Sequence, residues 1–301
     1  MKKLLFVFNP NSGKGQIRNY MVDIIKTFSD GGYEITVYPT KAPRDAYEYI
    51  RANEGRYDVI ACSGGDGTLN ETVAAVMEYN VKPPVGYIPS GTTNDFARSL
   101  KIPRSMEEAA KNIVNGYPEK IDVATFNGRY YNYVAAFGAF TEVSYATPQQ
   151  FKNILGHQAY MIEGVKSLKT IKPFHIEVQS SEVSFEGDCI YGMITNTTSV
   201  GGFKNLTGKD VKLNDGLFEC TFIKVPVGIL DVNELWNSIV NKEGNVLKNA
   251  GLINFRAGNL KVHSDVPLAW VLDGEFGGNV SDVDIEVKKQ AVEIIIPERI
   301  V

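Results

Sequence analysis

Three glycines and one acid interrupt this chain where a buried strand should give way to a helix. Gly64-Gly65-Asp66-Gly67-Thr68 follows the apolar run Val59-Ile60-Ala61-Cys62 and precedes Leu69, Val73, Val76 and Met77 at helical spacing. A strand that breaks into glycines and then opens a helix lets backbone N–H groups cradle a phosphate. Glycine removes the Cβ atoms that would hold a polyphosphate off the main chain. The one carboxylate in the loop, Asp66, suits magnesium or a ribose hydroxyl better than a bare anion. Thr68 and Glu71 read as a capping box that fixes the helix start. An ordinary tight strand–helix turn is the competing reading. Two absences narrow the field: Asn70 stands where the third glycine of G-x-G-x-x-G would fall, counting from Gly65, and no G-x-x-x-x-G-K-[ST] occurs.

The first third of the chain alternates strand and helix. Residues 4–8 form a continuous apolar run and read as a buried strand. Met21, Ile24, Ile25 and Phe28 recur at helical spacing until Gly31-Gly32 ends the helix. Strands over 34–38, 58–62 and 85–88 alternate with helices over 45–51 and 68–79 and with one containing Phe96 and Leu100. This order predicts a doubly wound, parallel α/β sheet, whose ligands sit beyond the carboxyl ends of the strands. Residues 9–13, Thr40, 64–68 and 90–95 all lie at those ends. After about Asp122 the pattern changes to strands over 122–126, 129–136, 175–179, 190–195, 217–225, 260–264 and 268–272, separated by Gly, Asn and Asp turns. Helices over 160–169 and near 231–240 interrupt them. The expected organisation is a nucleotide-binding α/β domain over 1–122 and a mainly antiparallel β-sandwich or barrel over 123–290, with the C-terminal strand in 291–301 returning to the first domain.

A length of 301 residues supports two cores, and hydrophobic and charged fractions of 44% and 22% exclude long disorder. The net charge of −4 excludes the strong basic excess of a nucleic-acid binder. The apolar run after Met1-Lys2-Lys3 is too short for a signal peptide, and no stretch reaches the length needed to span a bilayer. Cys62, Cys189 and Cys220 share no ligand spacing and the three histidines are scattered. Reduced core cysteines in a cytoplasmic protein, with no metal held by Cys or His, are therefore expected.

Further constellations carry chemistry, each beside a plainer reading. Asn9-Pro10-Asn11-Ser12-Gly13-Lys14-Gly15 offers side chains and glycine amides to a nucleotide, or is a turn with an N-cap. Gly91-Thr92-Thr93-Asn94-Asp95 has the same form one strand later. Asp273-Gly274-Glu275 is a hairpin turn, or places a carboxylate to take a proton from a hydroxyl attacking phosphorus. Asp122 is a strand-edge residue, or joins a magnesium–water network. Lys212-Leu213-Asn214-Asp215-Gly216-Leu217 reads as a turn before a strand, or as an oxygen-only magnesium site using Asp215 and neighbouring carbonyls. The segment 151–174, with Lys152, Lys166, Lys169 and Lys172 among apolar residues, is a core-facing helix with solvated lysines, or a basic amphipathic patch for an anionic lipid surface.

Taken together, Asn9-Pro10-x-Ser12-Gly13, the run from Gly64 to Glu71, Pro89-x-Gly91-Thr92-x-Asn94-Asp95-Phe96-Ala97-Arg98 and Asp273-Gly274-Glu275 resemble, in order, the diacylglycerol kinase catalytic family in its soluble bacterial lipid-kinase branch. Val143-Ser144-Tyr145-x-Thr147-Pro148 also resembles the branch that phosphorylates diacylglycerol. The resemblance implies an ATP site between two domains, contacted by Asn9, Pro10, Asn11, Ser12, Gly13, Thr40, Gly65, Asp66, Gly67, Thr68, Leu69, Asn70, Glu71 and Thr92. It implies that Asp66, Asp95 and Asp122 organise magnesium and its waters, and that Asp273 and Glu275 form the base centre. A second, structural magnesium would be held by Lys212, Asp215 and Leu217, the first and last through main-chain carbonyls. Asn214 departs from the family's frequent Asp-Asp-Gly there and removes a negative charge.

The expected activity is transfer of the ATP γ-phosphoryl group to a lipid hydroxyl, foremost that of diacylglycerol, yielding phosphatidate. Such a chain would be cytoplasmic and meet the inner face of the membrane transiently, and the resemblance leaves a homodimer open. The rival acceptors are phosphatidylglycerol, a sphingoid base and a polyprenol. NAD kinase shares the Gly-Gly-Asp-Gly loop but not Thr92-Thr93-Asn94-Asp95-Phe96, and a catalytically silent lipid-binding protein would not need the full set of acids.

Overall fold

The computed structural model describes residues 1–79, 81–91, 94–138, 173–198, 200, 211–225 and 251–298. Thr92, the motif at 143–148, the expected helices over 160–169 and 231–240, and all but the last two residues of 151–174 lie outside the described residues.

Four parallel strands, β1 (Lys2–Phe8), β2 (Tyr33–Pro39), β3 (Val59–Gly64) and β4 (Val85–Pro89), lie in the order β4-β3-β1-β2. Strands β3 and β4 are buried throughout and β1 from Leu4 to Val7, as apolar runs covered on both faces must be. Strand β2 at the edge has no fully buried residue. Among the described residues five α-helices accompany them: α1 (Ile17–Asp30), α2 (Asp45–Arg51), α3 (Asp66–Met77), α4 (Asp95–Ser99) and α5 (Met106–Asn115). Helix α1 buries Ile17, Ile24 and Phe28 and packs against α5, while α2 packs against α3. Phe8 is level with Ser63 and Pro39, and Gly64 with Pro89, so the carboxyl ends form one rim. The strand order reverses between β1 and β3, and a crevice opens at that point of the rim.

The expected helix start is corrected by two residues. Helix α3 begins at Asp66 with Gly65 as N-cap, so Asp66 is its first residue and Thr68 lies inside the first turn. No capping box forms, because Thr68 sits inside the helix rather than at its N-cap and the Glu71 carboxylate is engaged elsewhere. Thr68 packs on Gly64, where an added Cβ would stand 2.2 Å from its Oγ1, and the Glu71 carboxylate accepts from Arg44 N–H. A side-chain N-cap occurs instead at α5, where Ser105 Oγ accepts from Glu108 N–H while the Glu108 carboxylate pairs with Lys111.

The remaining strands are β5 (Tyr117–Phe126), β6 (Arg129–Tyr131), β7 (Val134–Gly138), β8 (Phe174–Ser180), β9 (Ser184–Thr195), β10 (Phe218–Lys224), β11 (Leu252–Ala257), β12 (Asn259–Leu272) and β13 (Glu275–Ile296). The run 129–136 is thus two strands broken at Asn132-Tyr133, and 260–264 and 268–272 are one. The antiparallel strands join the parallel ones in a single hydrogen-bonded sheet, β11-β10-β9-β7-β12-β13-β4-β3-β1-β2, with β5, β6 and β8 paired beside that path. Strand β13 makes the junction. Its first part pairs with β12, and at Ile294 it is flanked by Val85 of β4 and Glu119 of β5. A register shift between Lys288 and Val292 lets one 22-residue strand serve both parts. The apolar residues gather in two cores, one including Phe6, Phe28 and Tyr87, the other built around Trp270, Phe137, Phe218 and Phe222.

Candidate active site

Three loops at the rim pack backbone against backbone, and glycine makes this approach feasible. Gly13 has φ +54°, and a Cβ there would stand 1.8 Å from the Ser90 carbonyl oxygen; one at Gly91 would stand 2.6 Å from Gly65 Cα. Glycine is thus spent partly on bringing the loops together rather than on a ligand alone. Asn94 closes the third loop: its Oδ1 accepts from Gly91 N–H at 3.0 Å and its Nδ2 donates to the Gly91 carbonyl at 2.8 Å.

Between these loops and the hairpin that follows β12 lies a cleft of about 400 Å3, a size suited to a nucleotide. Asn9, Asn11, Ser12, Thr40, Gly65, Gly67, Thr68, Glu71 and Glu275 line it, with Lys41, Ala42 and Pro43, which sequence reasoning missed. Asn9 Oδ1 accepts from Asn11 N–H at 2.9 Å, so that oxygen is engaged in the turn. The N-cap of the 12-residue helix α3 is Gly65, which lines the cleft together with Gly67 and Thr68 of the first turn. The expected ATP contacts Pro10, Gly13, Asp66, Leu69 and Asn70 do not line the cleft. Leu69 is buried in the apolar core, and Gly13 sits beneath Ser90. Glu71 lines the cleft but also holds the amide of Arg44 at 2.7 Å, where a left-handed residue (φ 68°) precedes α2. It thereby fixes the wall at residues 40–43. Burial raises its carboxyl above the usual range, and the amides of Arg44, Tyr47 and Ala46 oppose this.

The second side of the site is acidic. Asp273 and Gly274, both with positive φ (49° and 86°), form the two-residue turn between β12 and β13. The hairpin reading therefore describes the backbone, while the carboxylate points inward and is 4% exposed. Its Oδ1 accepts from Tyr133 and Val134 N–H, each at 3.0 Å, and its Oδ2 accepts from Asn132 N–H at 2.7 Å and from Asn70 Nδ2 at 2.6 Å. Burial raises the Asp273 carboxyl, opposed by these four donors. The backbone donors come from the break between β6 and β7, which the sequence signalled only by Asn132 inside an otherwise strand-like run.

Asp66 and Asp95 complete the acidic cluster. The Asp66 carboxyl is pushed up to about 7 by burial and then by the charges of Asp273 and Asp95, with the amides of Phe96 and Asp95 opposing. Asp95, 3% exposed at the start of α4, pairs with Arg98 at 3.7 Å. Arg98, which the sequence reading left without a role, is the cation beside this cluster. Among the described residues no three His, Cys, Asp or Glu side chains converge on one point. A divalent ion would therefore complete its shell with water and phosphate oxygens, as magnesium does. The Asp66 carboxyl, raised by burial and by the charges of Asp273 and Asp95, is the group such an ion would relieve.

Asp122 does not join them. Fully buried, it accepts from Gln290 N–H at 2.6 Å and Gly216 N–H at 2.5 Å, which ties the 211–217 loop to β13. Burial raises its carboxyl, and Asp215 adds to the rise. In that loop Asp215 accepts from Leu217 N–H at 3.0 Å and pairs with Arg256, which also reaches Glu219 at 3.4 Å. With Asn214 neutral and a guanidinium already on Asp215, the set Lys212, Asp215 and Leu217 does not fit a divalent cation. Nothing in the sequence signalled Arg256, 41 residues away.

A family model described as the diacylglycerol kinase catalytic domain matches residues 3–126. A diacylglycerol kinase of Bacillus subtilis (strain 168) is 31% identical over 300 residues, covering 99% of this chain and 97% of the relative. One from Staphylococcus aureus (strain MRSA252) is 32% identical over 301 residues, 100% and 94% of the two chains. A crystal structure of a diacylglycerol kinase from Bacillus anthracis str. Sterne shares the fold, with a TM-score of 0.79 at 21% identity over 100% of this chain and 98% of that one. The chain therefore belongs to the diacylglycerol kinase family and is an enzyme of the kinase class.

Proposed function

We propose that this chain transfers the γ-phosphoryl group of ATP to the free hydroxyl of diacylglycerol and releases phosphatidate and ADP. The observation that carries this reading is the pairing of a glycine-backed cleft with a cluster of buried carboxylates beside it, Asp66 between the lining Gly65 and Gly67 and Asp273 two residues before the lining Glu275. Phosphoryl transfer asks for positioning and charge neutralisation more than for covalent help from the protein. In this reading the α3 amides and the 9–13 loop bind the triphosphate, and Thr40 and the 40–43 wall close over the nucleoside. Asp66 and Asp95 hold magnesium, which when bound supplies charge neutralisation at the transferring phosphoryl group. Asp273 takes the proton of the attacking hydroxyl, and Glu275 stands beside it at the cleft's edge. Thr92 and the motif at 143–148 enter only through the family resemblance.

The acceptor side is supported by Phe276, which directly follows Glu275 and is 55% exposed. An apolar side chain held in water beside the site suits a lipid substrate. No helix among the described residues is long and apolar enough to cross a membrane, so the chain would meet its substrate from the aqueous side. Magnesium–ATP turnover in mixed micelles against diacylglycerol, phosphatidylglycerol, a sphingoid base and a polyprenol, with NAD as the soluble control, tests this. Diacylglycerol is expected to be preferred. Turnover of NAD, or of none of the lipids, would overturn the reading.

A further inference from the structure

An ionised carboxylate offers about four acceptor positions, and all four of Asp273 are filled. Two backbone amides take Oδ1, from Tyr133 and Val134, and one from Asn132 takes Oδ2. The fourth position belongs to Asn70 Nδ2 at 2.6 Å. A carboxylate so engaged has no lone pair left for a substrate proton. Three of the donors cannot leave. They are consecutive main-chain groups, and the same segment is tied back by Asp273 N–H to the Val134 carbonyl at 2.8 Å and by Asn196 N–H to the Tyr133 carbonyl at 2.9 Å. Asn70 is a side-chain amide that turns about its own torsions, and its other contact, with the Tyr130 carbonyl, is long at 3.4 Å. It also stands one helical turn beyond Gly67, whose added Cβ would meet Glu275 Oε1 at 2.4 Å. The same face of α3 therefore lies along the Asp273–Glu275 hairpin.

We propose that Asn70 is a positioning residue that occupies, in the resting chain, the one acceptor position of Asp273 a hydroxyl can reach, and that the incoming substrate displaces it. This deepens the reading in which Asp273 is the base and rests on it. The substrate oxygen then donates its proton to Asp273 Oδ2 as its electron pair forms the bond to the γ-phosphorus. The bond from that phosphorus to the bridging oxygen breaks, its electron pair leaves on ADP, and the proton passes from the carboxyl to solvent. Until the acceptor arrives, Asn70 denies the same position to water and so suppresses wasteful hydrolysis.

Removing the amide should open the base to water. Asn70→Ala, which improves helix propensity, is expected to hydrolyse ATP without lipid at least tenfold faster than the wild type, with the KM for ATP within about threefold. Asn70→Ser, too short to reach Asp273, is expected to behave alike and guards against a folding defect in one variant. Lipid-free hydrolysis equal to or slower than wild type in both variants would overturn the proposal, as would a KM for ATP raised tenfold without faster hydrolysis. Phosphorylation of diacylglycerol by the wild type is measured separately and reports on the activity alone. Its failure would sink the kinase reading of the acceptor, while the lipid-free rates would still decide the role of Asn70.

Discussion

Replacing Asp66 by asparagine should make the metal-free protein more stable, and increasingly so as the pH rises. Burial and the charges of Asp273 and Asp95 push this carboxyl from its ordinary value of 3.8 to about 7. Between those values the folded chain keeps a proton that the unfolded chain has released. Stability contributed by this group therefore falls as pH rises through the window and is level above it. At 1.36 kcal/mol per pH unit the full penalty is on the order of 4 kcal/mol as an upper bound. The acids titrate as a set, so part of the slope remains with Asp273, whose carboxyl is also raised. Urea unfolding in the presence of a chelator at pH 5 and pH 8 reads the difference. The stability gap between Asp66→Asn and wild type should widen by about 2–3 kcal/mol between the two. With an m-value near 3 kcal/mol/M that is a midpoint shift of roughly 1 M. Saturating magnesium should narrow the gap by stabilising the ionised wild type. A gap that stays constant with pH would show that Asp66 is not held protonated by its neighbours.

Asp273→Asn should lower kcat by about 10²–10⁴ while nucleotide affinity, measured by titration calorimetry, stays within about threefold; unchanged turnover refutes the base assignment. Gly13→Ala forces a methyl to within 1.8 Å of the Ser90 carbonyl at φ +54° and should cost about 1–3 kcal/mol. It should also raise the KM for ATP, and a wild-type melting temperature and KM together would contradict the loop packing. Glu71→Gln keeps one acceptor for the Arg44 amide before α2 but loses the charge, so a loss of about 1 kcal/mol and a raised KM for ATP at unaltered kcat are expected. A fall in kcat alone would place Glu71 in the chemistry rather than in the cleft wall.

Local chemistry by itself determined much of this protein. The buried runs of β1, β3 and β4 read as parallel strands because both their faces are covered. Their turn residues put the loops that line the cleft at one rim, and the ordered motifs pointed to the family. Asp273-Gly274 was legible as a hairpin because two left-handed residues are needed there. The start of α3 was misplaced because the helix begins on the glycines themselves, which puts Thr68 in its first turn, and because the Glu71 carboxylate has a distant partner in the Arg44 amide.

Tertiary structure alone decided what these residues touch. Asn70 meets Asp273 across 203 residues, and the three amides that hold that carboxylate come from about 140 residues earlier. Asp122, grouped with the other acids at the sequence level, is claimed by Gly216 and Gln290, and Asp215 by Arg256. Spacing along a chain encodes the period of a helix or strand and the chemistry of a turn. Which distant carboxylate ends up beside which donor depends on strand register, and here on the single long strand β13 that joins the parallel and antiparallel parts in one sheet.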